Sequence, residues 1–141
     1  MFKLDERLQG DTLKVADLPL CRVLLMNDSQ FPWLILVPRR DNVIEFTELS
    51  ETDQQQLWQE SLHVSRVMQQ VFGPDKMNVA ALGNVVSQLH VHHVARYKND
   101  VAWPHPVWGR QPAIPYSEQD ATTRCSQLAA LLQPDEKKEL P

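Results

Sequence analysis

The sequence predicts an α+β domain, an antiparallel sheet with one long helix and a C-terminal helix. Three observations carry that expectation. Short runs rich in Leu, Val and Ile alternate with turn-forming residues near the N-terminus. A capped pattern of helical period follows, and a second helical pattern comes late in the chain. The 141 residues suit one domain rather than two, and a domain of that size buries roughly two-thirds of the surface its unfolded chain exposes. The domain is placed at 1–133; the stretch 134–141 is charged and is expected to fray.

Residues 12–15, 20–26 and 33–37 read as strands of a meander, separated by Asp17-Leu18-Pro19 and by Asn27-Asp28-Ser29-Gln30. Ser50-Glu51-Thr52-Asp53 resembles a capping box with Asp in the place of the usual Glu or Gln. Behind it Leu57, Val64, Met68 and Val71 recur at helical spacing, and Gly73-Pro74 stops the helix. Trp58 and Leu62 lie beside that face, more apolar surface than one stripe requires, which points to a homodimer. Strands are expected again at 76–82 and 85–95. Pro104, Pro106, Pro112 and Pro115 make 103–116 an extended loop. A last helix starts near Ser117, buries Ala121, Cys125, Leu128 and Leu132, and ends before Pro134.

Composition narrows the function classes. Hydrophobic residues at 43% and charged residues at 23% are ordinary globular usage and exclude a wholly disordered chain. The best apolar run, 33–37, falls far short of a membrane helix, and Met1-Phe2-Lys3-Leu4-Asp5-Glu6 does not read as a signal peptide. A formal net charge of -4 argues against a protein that coats nucleic acid. Cys21 and Cys125 form no spaced motif and read as small hydrophobes in a reducing compartment, so the expected location is the cytoplasm.

The chemistry concentrates in Ser87-Gln88-Leu89-His90-Val91-His92-His93-Val94, which holds three of the five histidines. Along a strand, Gln88, His90 and His92 would share one face, and Leu89, Val91 and His93 the other, core-facing one. Burying an amide and two imidazoles unpaired costs of order a kcal/mol or more per group, so the row needs a ligand, water or internal partners. Three uses are open to it. The histidines can be satisfied groups on a solvated sheet face. They can be two ligands of a metal, although no acidic residue lies on that strand and His63 sits mid-helix; no metal is expected. Or they can act on phosphate, one unprotonated imidazole attacking while a protonated neighbour steadies an oxygen or protonates a leaving group.

At this point a family resemblance becomes specific. The run Gly83-Asn84-Val85-Val86-Ser87-Gln88-Leu89-His90-Val91-His92-His93-Val94 resembles the signature of the histidine-triad (HIT) superfamily, His-x-His-x-His followed by two apolar residues. Trp33-Leu34-Ile35-Leu36-Val37-Pro38-Arg39-Arg40 resembles its strand ending in Val-Pro and basic residues, and Phe46-Thr47-Glu48-Leu49-Ser50 is similar to the lead-in to its helix. The likeness runs from about Leu20 to Trp108, with the motifs in the family's order. It implies a HIT-like fold of the bacterial type, with Gln in place of the first triad His. It further implies a homodimer that binds nucleotides and acts as a hydrolase or nucleotidyltransferase through a nucleotidyl-histidine. No cofactor is required; a divalent cation can accompany a polyphosphate substrate. The alternative is a nucleotide-binding module with little or no turnover that works through a partner.

Carried over residue by residue, the resemblance makes His90 the nucleophile and His92 the third triad histidine, with Gln88 at the first position. A glutamine there can donate a hydrogen bond to a phosphate oxygen but carries no charge. Asn27 or Asp28 matches the region that binds ribose hydroxyls, or is simply a turn-forming pair. Asn78 and Asn84 match positions that contact phosphate; an internal hydrogen bond and a turn role are their plain alternatives. Arg39, Arg40 and Arg96 read as solvated strand ends, and Asp41 stands where the family has a histidine. His93 points to the other face and has no counterpart in the site.

Overall fold

The computed structural model describes residues 1–133, so the charged stretch 134–141 lies outside the described residues. A short helix α1 (Glu6–Asp11) leads into β1 (Thr12–Asp17), β2 (Cys21–Met26) and β3 (Trp33–Pro38); then come α2 (Glu51–Phe72), β4 (Lys76–Ala80), β5 (Val91–Arg96) and α3 (Glu118–Leu132). All strand pairs are antiparallel, in the order β1-β2-β3-β5-β4. The expected α+β architecture is the observed one, with its meander, its long helix and its C-terminal helix in place.

Local chemistry explains the helix bounds. The Ser50 hydroxyl accepts a hydrogen bond from the Asp53 backbone N–H at 3.1 Å, and Gly73 closes the other end of α2 with φ of 53°, a left-handed conformation that glycine adopts without Cβ strain. Ser117 caps α3 in the same way, toward Asp120. Of the residues expected on its buried face, Leu128 and Leu132 are buried fully, Ala121 and Cys125 partly.

Two apolar layers flank the sheet. One lies under α2 and α3 and gathers Val23, Leu25, Leu34, Leu36, Val64, Met68, Leu89, Val91, Ala95, Leu128 and Leu132. The other lies on the opposite face, where Leu24, Trp33, Ile35, Val37 and Val94 meet Leu8 of α1 together with Ala102 and Val107. That second face is covered by irregular chain rather than by long helices, and the cleft described below opens there.

The expected strand at 85–95 is shorter at its start. Leu36 pairs with Val91, which leaves only Val37 and Pro38 of β3 beyond that pair, and proline has no N–H to give the ladder. The chain from 81 to 90 is therefore a connection that leaves β4 at Ala80, opposite His92, and re-enters the sheet at Val91. It is pinned by Leu89, whose N–H donates to the Val43 carbonyl at 2.9 Å. The expected strand at 76–82 likewise stops at Ala80.

Candidate active site

Strand alternation places Val91, His93 and Ala95 of β5 toward the helices and His92 and Val94 toward the other face. His90, just ahead of the strand, turns to the same side as His92, and the two rings lie 4.9 Å apart, edge to face. Together they line a cleft of about 770 Å³. Its walls are α1 (Arg7, Asp11), the turn at Asn27 and Asp28, the 81–90 connection with Leu82 and Asn84, and the proline-rich segment with Trp108.

Each imidazole is held in a definite tautomer. His90 Nδ1 lies 2.6 Å from the Gln88 carbonyl, which can only accept, so Nδ1 carries the proton and Nε2 keeps its lone pair. No described residue hydrogen-bonds that Nε2. His92 is the mirror case: the Trp33 indole N–H donates to its Nδ1 at 3.0 Å. Burial, and then the His90 imidazole, pulls the His92 pKa down to about 4 against the opposing pull of the Leu82 carbonyl. His92 is 4% exposed, its ring tilted against Trp33 and edge-on to Trp108.

Gln88 does not join the two histidines. Its side-chain oxygen accepts from the Asp5 N–H and its amide N–H donates to the Lys3 carbonyl, both at 2.9 Å. It lines a separate cavity of about 440 Å³ with Lys3, Asp5 and Asp41. The shared-face expectation fails because residue 88 lies in the connection, outside the alternation of a strand. Asn78 is likewise placed elsewhere. Its carbonyl oxygen accepts from Arg96 at 2.9 Å, and Arg96, far from being a solvated strand end, is 1% exposed and grips Asp100 through two bonds of 2.8 and 3.0 Å. Asn84 lies on the cleft wall and is exposed. Asn27 and Asp28 also line the cleft, and both tether the proline-rich segment: Asn27 accepts from the Tyr116 N–H at 2.9 Å, Asp28 from the Ile114 N–H at 3.4 Å.

Three contributors escape the sequence reading. Trp33 reads only as a strand residue, Trp108 only as part of a loop, and α1 carries too short and too weak a pattern to register. An indole on the strand paired with the histidine strand is the one signal that points to Trp33. Trp108 Nε1 is buried with no hydrogen-bond partner among the described residues, an orphan donor that costs about 1–3 kcal/mol until a ligand or water accepts from it. Glycine 83 is demanded by packing, since a Cβ there would meet the Val86 carbonyl oxygen at 2.8 Å, with His90 Cε1 next at 3.8 Å. Among the described residues no group of three or more His, Cys, Asp or Glu side chains is placed to hold a metal ion. No helix among them is long and apolar enough to cross a membrane.

A five-stranded antiparallel sheet with two facing histidines lining a cleft on one face, one of them with a ring nitrogen unpartnered among the described residues, defines an α+β domain with a histidine-lined cleft. The HIT domain family model matches residues 7–99, and the chain belongs to that family. A histidine triad protein from Marinobacter aquaeolei VT8 is 53% identical over 94% of this chain and 96% of its own, with a TM-score of 0.91. One from Bradyrhizobium japonicum is 42% identical over 94% and 98%, also at 0.91, and one from Sinorhizobium meliloti 1021 is 43% identical over 92% and 96%, at 0.89. The search of curated proteins finds no match.

Proposed function

We propose that this chain is a nucleotide hydrolase or nucleotidyltransferase that acts at the α-phosphate of a nucleotide conjugate through a nucleotidyl-His90 intermediate. The observation that supports it best is the tautomer of His90, with its Nδ1–H engaged by the Gln88 carbonyl at 2.6 Å and its Nε2 without a hydrogen-bond partner among the described residues, on a ring that lines the cleft. The Nε2 lone pair forms the N–P bond as the bond from phosphorus to the leaving atom breaks. Water then attacks phosphorus, the P–N electron pair returns to Nε2, and the water's proton leaves to solvent. His92 and Asn84 are the side chains we assign to the phosphate oxygens, with Asn27 and Asp28 at the ribose end. Gln88 enters through its backbone carbonyl, and Asn78 has no role in this scheme. No cofactor is needed; a divalent cation can accompany a polyphosphate substrate.

We also propose that the chain works as a homodimer. Trp58 is 63% exposed and, with Phe46 and Val79, edges an apolar groove beside the open strand β4. Light scattering at tens of micromolar should give twice the monomer mass. The chemical reading is tested by mixing excess protein with nucleotide conjugates, quenching in base and weighing the protein. A mass increase equal to one nucleoside monophosphate on the peptide holding His90 is expected. Binding without any such increase, across a panel of bases and leaving groups, would leave the turnover-free module as the better reading.

A further inference from the structure

Resting on the nucleotidyl-His90 reading, we infer that this cleft acts on nucleotidyl anhydrides, whose leaving groups depart as stable anions, and that Trp33 imposes this choice by locking His92 as a neutral hydrogen-bond donor.

The argument begins with what an indole can do. Its N–H donates and never accepts. With Trp33 Nε1 at 3.0 Å, His92 Nδ1 must present a lone pair. Protonating that nitrogen would set N–H against N–H inside a buried contact, so the imidazolium forms only if the bond to Trp33 breaks. The proton of neutral His92 therefore sits on Nε2. There it faces the Leu82 carbonyl and can also be shared with a phosphate oxygen; giving it away would leave an imidazolate. The aromatic surroundings act in the same direction, because Trp33, Trp108 and His90 are the rings packed on His92 and none supplies a counter-charge. The lowered pKa of His92 agrees with this geometry without being needed for it.

Nothing else lining the cleft replaces the missing acid. The titratable liners are Arg7, Asp11, Asp28, His90 and His92. The Arg7 guanidinium does not give up a proton. Asp28 is held as an acceptor, its Oδ1 receiving N–H bonds from Gln30 N, Gln30 Nε2 and Ile114 N. Asp11 is exposed, 3.9 Å from Arg7. His90 has its one proton on the Gln88 carbonyl and spends its lone pair on phosphorus. Gln88, whose amide the resemblance would put against a phosphate oxygen, is tied to Lys3 and Asp5.

The leaving atom must then take the P–O or P–N electron pair unaided. An amine or alcohol would leave as an amide or alkoxide anion and needs a proton. A phosphate, pyrophosphate or carboxylate leaves as an ordinary anion and needs none. Positioned acid catalysis is worth ~10²–10⁴-fold, and that factor is what a phosphoramidate or phosphate diester forgoes in this cleft.

The experiment pairs a nucleoside 5′-triphosphate with the 5′-phosphoramidate of the same nucleoside, run for each of the four common bases, and adds ¹⁵N NMR of the histidine rings. The triphosphate should form the His90 adduct at least ~100-fold faster than the phosphoramidate at pH 7.5. The His92 ring should show an accepting Nδ1 and a protonated Nε2 from pH 7.5 down to pH 5.5. In Trp33→Phe, which removes the indole N–H, the triphosphate-to-phosphoramidate ratio should fall at least ~10-fold, because Nδ1 can then take a proton without facing an N–H, with burial alone left to oppose the charge. A phosphoramidate as reactive as the triphosphate overturns the leaving-group inference alone. A His92 that is doubly protonated at pH 7, or carries its proton on Nδ1, overturns the lock, and the spectrum reads this whether or not Trp33→Phe folds. Adduct formation from neither substrate overturns the nucleotidyl-His90 reading on which the inference rests.

Discussion

His90 and His93 are held by the same local device and placed on opposite sides of the sheet. Each ring lies with Nδ1 against the carbonyl two residues before it, Gln88 at 2.6 Å and Val91 at 3.1 Å. The difference is at the far nitrogen. The Ser61 hydroxyl of α2 sits 2.7 Å from His93 Nε2, in a site with 0% exposure, and fills the ring's last valence. His90 Nε2 has no hydrogen-bond partner among the described residues, on a ring that lines the cleft. One backbone hook thus sets both tautomers, and the covering element decides whether the lone pair is used up or kept. Counting histidines does not tell these two rings apart; asking what faces the second ring nitrogen does.

The sharpest way to break this comparison is to remove each ring in turn. His90→Ala should lower adduct formation by ~10³-fold or more while nucleotide affinity changes only several-fold. His93→Ala should leave the adduct rate of folded protein unchanged, yet lower stability by roughly 2–4 kcal/mol through a cavity and an orphaned Ser61. Mass spectrometry and urea melts read the two effects separately. If His93→Ala and His90→Ala lose adduct alike, the distinction between the hooks is false.

Acid tests both faces of β5 at once. Burial pulls His92 and His93 each to about 4, from an ordinary value near 6.5. Between those two pH values the unfolded histidines bind protons that the folded ones refuse. Unfolding free energy should therefore fall as pH drops from about 6.5 and level off, for these groups, near pH 4. The loss is of order 3 kcal/mol per ring. Urea midpoints that stay flat between pH 7 and pH 5 would contradict the burial of both rings.

A smaller effect isolates the cap on His93. Ser61→Ala leaves that Nε2 with no donor in a closed site, which costs about 1–3 kcal/mol. Adduct formation at His90 should be unchanged, since the two rings point to opposite faces of the sheet. Differential scanning calorimetry beside single-turnover adduct yield checks both halves.

Much of the fold is legible in the sequence because it is written locally. The Ser50 cap, the Gly73 stop and the 7, 4, 3 spacing from Leu57 to Val71 are physics within one helix, and each of the strands between turn signals buries a face that its own composition announces. The face parity of Leu89, Val91 and His93 follows from the same alternation. What fails is decided by partners distant in sequence. The 85–90 stretch looks like a strand, yet β3 has only Val37 and Pro38 left beyond its pairing with Val91. Gln88 looks like part of a row of polar groups, but its amide is claimed from 83 and 85 positions away. Arg96 looks like a solvated strand end and Asn78 like a phosphate contact or an internal hydrogen bond; they find each other across a strand pair, with Asp100 completing the cluster. Trp33 shows no polar role until the opposite strand brings His92 to its indole.

The smallest expected effect concerns Gln88, and it separates what that residue does through its side chain from what it does through its backbone. The side chain braces the N-terminal segment just ahead of α1, and α1 supplies one wall of the cleft. The backbone carbonyl orients His90, a service any residue provides. An imidazole has no amide pair with which to bond the Asp5 N–H and the Lys3 carbonyl together, so Gln88→His should cost about 1–2 kcal/mol of stability. It should leave the adduct rate within ~3-fold, because the carbonyl remains. Restoring the family's usual histidine should thus gain no activity, and Gln88→Ala should behave the same way in both measurements. A tenfold acceleration in Gln88→His alone would show that this position reaches the reacting phosphate. In that event the glutamine, rather than the tautomer set by Trp33, would be what limits the chemistry in this cleft.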